Sequence, residues 1–228
     1  MKAFYFLLFS GLVSCGSPIA HTEPHVVSDL YYRFEAKTGR YTAEAKMTLR
    51  DTILKLDTAY MVDGGVAFLN SGMRSDLIDD RFIRYKSAFQ AKPVDGPVFS
   101  FKHPSGKQIS IPGTLPVFDS LIMGPAPTKN FGFTVYHTDK EDFLADNETL
   151  SALFQADDGS AKLATIIGPR PPAEGAFNFA RETVSDWPLS TGTITFIRRR
   201  VTPIYMEGVE GQIVEEVYSK PVPTAMVN

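Results

Sequence analysis

Four histidines, one acidic run and one arginine run hold the side chains of this 228-residue chain whose types could do chemistry. His103 precedes the turn-forming Pro104-Ser105-Gly106, and His137 lies near the end of an alternating segment. Either imidazole could act as a general base, but a base also needs a placed nucleophile or water. His21 and His25 are the only clustered pair, and further ligands for a metal are missing around them. The acidic run Asp139, Glu141, Asp142, Asp146 and Glu148 offers oxygen ligands of the kind calcium takes. Its spacing fails the EF-hand pattern, because Phe143 holds the fifth position from Asp139 and Leu144, not glycine, the sixth. A solvated loop is the expected state of that run, with no metal. Arg198-Arg199-Arg200 could meet phosphate, glycan or lipid head groups, yet cross-strand pairing with Glu210, Glu215 and Glu216 accounts for it more simply. Trp187, the only tryptophan, sits before Pro188 and is expected in a core rather than stacked on a sugar.

Recognisable catalytic patterns are absent. The chain has no Gly-x-Ser-x-Gly elbow, no His-Glu-x-x-His zinc pattern and no Gly-x-Gly-x-x-Gly dinucleotide loop. Gly106-Lys107 is not a phosphate loop, since Phe101 stands where the upstream glycine belongs and Gln108 replaces the serine or threonine. No catalytic residue and no cofactor is expected. A net charge of −3 lacks the basic excess of a nucleic-acid binder. With 43% hydrophobic and 21% charged residues, the chain is too apolar for disorder and too charged for a polytopic membrane protein. One cysteine excludes an internal disulfide framework.

That cysteine has an address. After Met1-Lys2, residues 3 to 13 run without a charge, about half the roughly 20 apolar residues that a membrane-spanning helix needs. A short cationic start, a brief apolar run and small residues describe a secretory signal peptide. Its end, Leu12-Val13-Ser14-Cys15-Gly16, resembles the lipobox of bacterial lipoproteins. The resemblance implies cleavage between Ser14 and Cys15 and a diacylglyceryl group on the Cys15 sulfur. Two or three acyl chains hold a protein at a bilayer stably, where one holds it only reversibly. Gly16 is not aspartate, which by the family rule leans to the outer membrane in a Gram-negative host. Residues 16 to 27, with two prolines and no usable period, read as a spacer.

The elements that must position everything else are short strands. From Tyr41 to Arg50, Tyr41, Ala43, Ala45, Met47 and Leu49 alternate with Thr42, Glu44, Lys46, Thr48 and Arg50, which puts one set on a core and the other in water. Further strands are expected at 29–36, 53–59, 66–70, 82–89, 118–123, 131–138, 150–156, 161–167, 175–180, 191–200 and 212–219. Hairpins are expected at 98–111, around Pro104-Ser105-Gly106, and at 150–167, around Asp157-Asp158-Gly159-Ser160. Pro221 and Pro223 should bar continuation past the last strand. Sustained helical stripes are missing.

Strands at this spacing, divided by glycine and proline turns, indicate a β-sandwich or barrel. The expectation is an all-β chain with two immunoglobulin-like β-sandwich domains, at 28–115 and 116–223. They follow a signal peptide (1–14) and a lipidated tether (15–27), and precede a tail (224–228). One larger sandwich or barrel is the alternative. The segments 38–49, 66–70, 97–107 and 191–200 resemble uncharacterised bacterial lipoproteins with tandem immunoglobulin-like domains, a likeness that carries no catalytic residue. The functional expectation is a lipid-anchored protein of the bacterial cell envelope that works without catalysis, as a structural or protein-interaction module. Its partners would be the membrane, through Cys15, and an envelope protein or glycan, with no nucleic acid. A glycan or cell-wall-fragment binding module is the first alternative, and an enzyme with an unrecognised site the second.

Overall fold

The computed structural model describes residues 24–51, 56–79, 81–114, 121–137, 144–168, 176–206 and 208–228. The first half contains β1 (His25–Glu35), β2 (Arg40–Arg50), β3 (Asp57–Ala59), β4 (Val66–Phe68), β5 (Ser71–Gly72), β6 (Arg74–Asp79), β7 (Phe82–Gln90), β8 (Val98–Lys102) and β9 (Gln108–Pro112). The second contains β10 (Leu121–Met123), β11 (Phe133–His137), β12 (Glu148–Ala156), β13 (Ala161–Ile167) and β14 (Ala176–Phe179). A single helical turn, α1 (Arg181–Val184), precedes β15 (Thr191–Met206), β16 (Val209–Tyr218) and β17 (Val222–Ala225). The chain is all-β, as its period-two patterning requires.

A ten-stranded sheet runs β13-β12-β15-β16-β1-β2-β7-β6, with β17 beside β15 and β3 beside β2. Two smaller sheets, β5-β4-β8-β9 and β10-β11-β14, supply the covering layers. The first core joins Leu30, Tyr32, Tyr41, Met47, Ile213 and Val217 of the long sheet to Phe68, Phe99 and Ile111 of the four-stranded one. Phe68 is its centre, with ring centroids of Phe99 at 4.7 Å, Tyr32 at 5.7 Å and Tyr41 at 5.8 Å. Each such pair adds about 0.5–1.5 kcal/mol beyond area burial. The second core joins Leu150, Phe154, Ile194 and Phe196 to Phe133, Val135, Phe177 and Phe179 of the three-stranded sheet. Trp187 is fully buried there, stacked on Phe154 at 5.2 Å and tilted against Phe133.

The two halves are not separate sheets. β15 keeps one parity through sixteen residues, so Ile194 and Phe196 enter the second core while Ile204 enters the first. β16 then lies parallel to β1, from Val26 opposite Val209 to Glu35 opposite Tyr218. Strands from both sides of residue 115 therefore share one sheet, and both covering layers sit on the same face of it. No barrel closes among the described residues, because the long sheet ends at β13 and β6.

Several boundaries differ from the sequence pattern. β1 begins at His25, inside the stretch that reads as a tether, because Val26 is a core residue of the first sandwich. β17 continues past Pro221 and Pro223 to Ala225, inside the stretch that reads as a tail. Proline is tolerated there since β17 is an edge strand, paired through Pro223 opposite Thr193. β6 pairs with β7 although its sequence, Arg-Ser-Asp-Leu-Ile-Asp, shows no apolar alternation. Thr48, on the polar side of β2, is buried, and its hydroxyl donates to the Val27 carbonyl. The expected turns form: Gly106 takes φ +88° and donates to the His103 carbonyl, and the Asp158 carboxylate accepts from Ser160 N–H.

Candidate functional site

The residues singled out by type scatter through the fold. Ser14, Cys15 and His21, and Asp139, Glu141 and Asp142 of the acidic run, lie outside the described residues. Of the rest of that run, Asp146 is exposed, whereas Glu148 is only 1% exposed and starts β12 facing inward. Among the described residues no three His, Cys, Asp or Glu side chains are grouped to hold a metal.

Glu148 is clamped by two arginines from the neighbouring strand. Arg198 donates to Oε2 from Nε at 3.0 Å and from Nη2 at 2.7 Å, and Arg200 donates to Oε1 from Nε at 2.6 Å. Arg200 also donates to the Thr114 hydroxyl at 2.5 Å. Thr114 N–H and the Tyr32 hydroxyl both donate to Oε1 of buried Glu215, each at 2.7 Å. This chain of charges fills the gap between the two cores, where β15 passes from one to the other. Burial and the adjacent Glu215 carboxylate hold the Tyr32 phenol far above the usual tyrosine range, so it stays a neutral donor. Of the arginine run, only Arg199 follows the expected cross-strand pairing, with Glu216 at 3.5 Å. Arg198 and Arg200 turn instead to Glu148. Glu210 meets Arg50 and His25 at the other end of β16.

His103 is a structural pin. It is 4% exposed, and its Nδ1 accepts from Ser105 N–H at 3.2 Å with the Ser105 hydroxyl at 2.8 Å. That leaves Nε2–H to donate to the Gly208 carbonyl at 3.2 Å, a tautomer assigned from the bonding pattern. The same carbonyl accepts from Val26 N–H at 2.8 Å, so the ring ties the β8–β9 hairpin to the start of β1 and β16. His103→Ala should therefore destabilise the fold by about 1–3 kcal/mol, measured as a lower denaturation midpoint with unchanged slope. For His137 only the backbone at the end of β11 is described.

Open surface lies elsewhere. A cleft of about 500 Å³ opens at the far end of β1, floored by Phe34 and Ala36 and flanked by Gln90, Lys92 and Lys220. A groove of about 310 Å³ lies on the solvent side of the long sheet, across β16, β1, β2 and β7. One row of cross-strand neighbours along it reads Gln212, Asp29, Lys46, Arg84, and the next Val214, Tyr31, Glu44. Asp29 faces Lys46 across one strand pair, whereas Lys46 and Arg84, two like charges, face each other across the next. Lys46 Nζ stands 4.2 Å above the centre of the Phe82 ring. Tyr31 donates to Glu216 at 3.0 Å. These outward residues are legible as the polar half of each alternating strand, but nothing in the sequence indicates that β1, β2, β7 and β16 stand side by side.

No protein-family model matches this sequence, and no curated protein is significantly similar to it.

Proposed function

We propose that the protein is a lipid-anchored component of the bacterial cell envelope that works by binding rather than by catalysis. The observation that carries the binding reading is the contrast between the two faces of the long sheet. On the inner face, Glu148, Glu215 and Arg198 are buried and engaged with partners inside the fold. On the outer face, acids, bases and aromatic rings line an open groove. The address rests on Leu12-Val13-Ser14-Cys15 and its likeness to a lipobox. Two hydrophobic cores lie along the long sheet, and β15 contributes to both.

Crosslinking the intact lipoprotein in its native envelope, followed by mass spectrometry, tests the binding reading. A recurrent envelope partner, protein or glycan, is the expected result. Crosslinks spread over abundant proteins in proportion to their amounts would contradict it. Cys15→Ala should yield an uncleaved or soluble form that no longer pellets with membranes, and unchanged fractionation would count against the anchor.

A further inference from the structure

We infer that the outer-face groove of the long sheet is a saccharide-binding site, a deduction that rests on reading the protein as a binder. Asp29 and Glu44 supply carboxylate acceptors, and Lys46, Arg84 and Gln212 supply donors, all lining one groove. Their formal charges cancel, so the groove matches neither a simple anion nor a simple cation. Hydroxyl groups donate and accept at once, and a ring carrying several of them satisfies both kinds of wall.

The side chains of Asp29, Glu44 and Arg84 have no ion-pair or hydrogen-bond partner among the described residues, although Asp29 and Lys46 sit directly opposite each other. The Nε of Arg84 is withdrawn from solvent and still lacks an acceptor. Buried donors of that kind are rare unless something outside the chain completes them. Tyr31 lines the same space and brings an aromatic ring of the kind that packs on the C–H faces of a sugar. The volume, about 310 Å³, lies at the small end of ligand pockets.

A peptide fits less well. It would recognise a sheet by adding a strand to a free edge, and β1, β2 and β7 each have hydrogen-bonded neighbours on both sides.

The test uses the purified full-length lipoprotein in a detergent without a sugar head group. Maltotriose, cellotriose and triacetylchitotriose are probed by saturation-transfer NMR. At least one should show transfer to its ring C–H protons, with a Kd of about 0.1–10 mM. Asp29→Ala and Arg84→Ala should each weaken it about tenfold or more, and Lys220→Ala, in the other cleft, should leave it unchanged. Asp29→Asn and Arg84→Gln serve where an alanine variant melts early. Absence of transfer from all three sugars, or equal affinity in the groove variants, overturns the site. A recurrent protein partner in the envelope would survive that outcome, so failure of the groove and failure of the binding reading are told apart.

Discussion

Glu148→Gln should destabilise the fold by about 3–5 kcal/mol, because it leaves two arginines facing an amide where a carboxylate stood. Arg198 is 4% exposed and makes its bonds to Oε2, while Arg200 makes its own to Oε1. The amide keeps one acceptor oxygen, and its nitrogen is a donor aimed at donors. Arg198 cannot reach water without opening the joint between the cores. Arg200 is better placed, with its side chain 17% exposed and Thr114 as an alternative partner. The asymmetry yields a second expectation. Glu148→Leu combined with Arg198→Leu should recover most of the loss, since apolar groups can replace a buried pair at little cost and Arg200 can turn outward. Urea denaturation of both variants measures the difference. A single variant as stable as the parent would mean that the charges do not hold the cores together.

Gly211→Ala should be comparably damaging, by about 3 kcal/mol or more, or should prevent folding. Gly211 lies in β16 opposite Ser28 of β1, at φ +144°. A Cβ there would stand 1.8 Å from the Ser28 carbonyl oxygen. Backbone cannot swing aside as a flexible side chain can, so β1 and β16 would have to separate. Their parallel ladder joins the first long strand to the last hairpin and closes the first core, where Leu30 and Ile213 lie side by side. Such a collision belongs to the few mechanisms that make point substitutions costly. Gly72→Ala is the control: no atom lies within 4 Å of the place its methyl group would occupy, and its φ is not in the left-handed range. It should change stability by no more than about 0.5 kcal/mol. Equal effects of the two changes, read from thermal melts, would contradict the strand contact.

Local strand patterns are readable because a half-buried strand writes its environment into alternate residues. Tyr41 to Met47 is the plainest case, and the turns at Gly106 and Gly159 are marked by residues suited to them. Pairing between distant segments leaves no such record. Nothing near Val26 or Val209 says that these strands run parallel, and that contact is what merges the two expected sandwiches. Glu148 shows the same limit at one residue. By position it belongs with the acids before it, although extending the Leu150, Ala152, Phe154 alternation one step upstream places it inside. Its partners Arg198 and Arg200 likewise keep the parity of Ile194 and Phe196. Followed through, the two alternations set carboxylate and guanidinium on one buried face. His103 carries no comparable signal, since its bond to Gly208 depends on how the hairpin packs. The outer groove is equally hidden, because it exists only once four strands are adjacent.

The anchor is the claim on which the location and the search for a partner both depend. Intact-mass spectrometry of the mature protein, extracted from the membranes of its own host, tests it most directly. The predicted result is a chain beginning at Cys15 and heavier than its amino acids by two or three acyl chains with their glyceryl group. A Cys15 carrying an unmodified thiol, or a mature chain that still contains Met1 to Ser14, would contradict it.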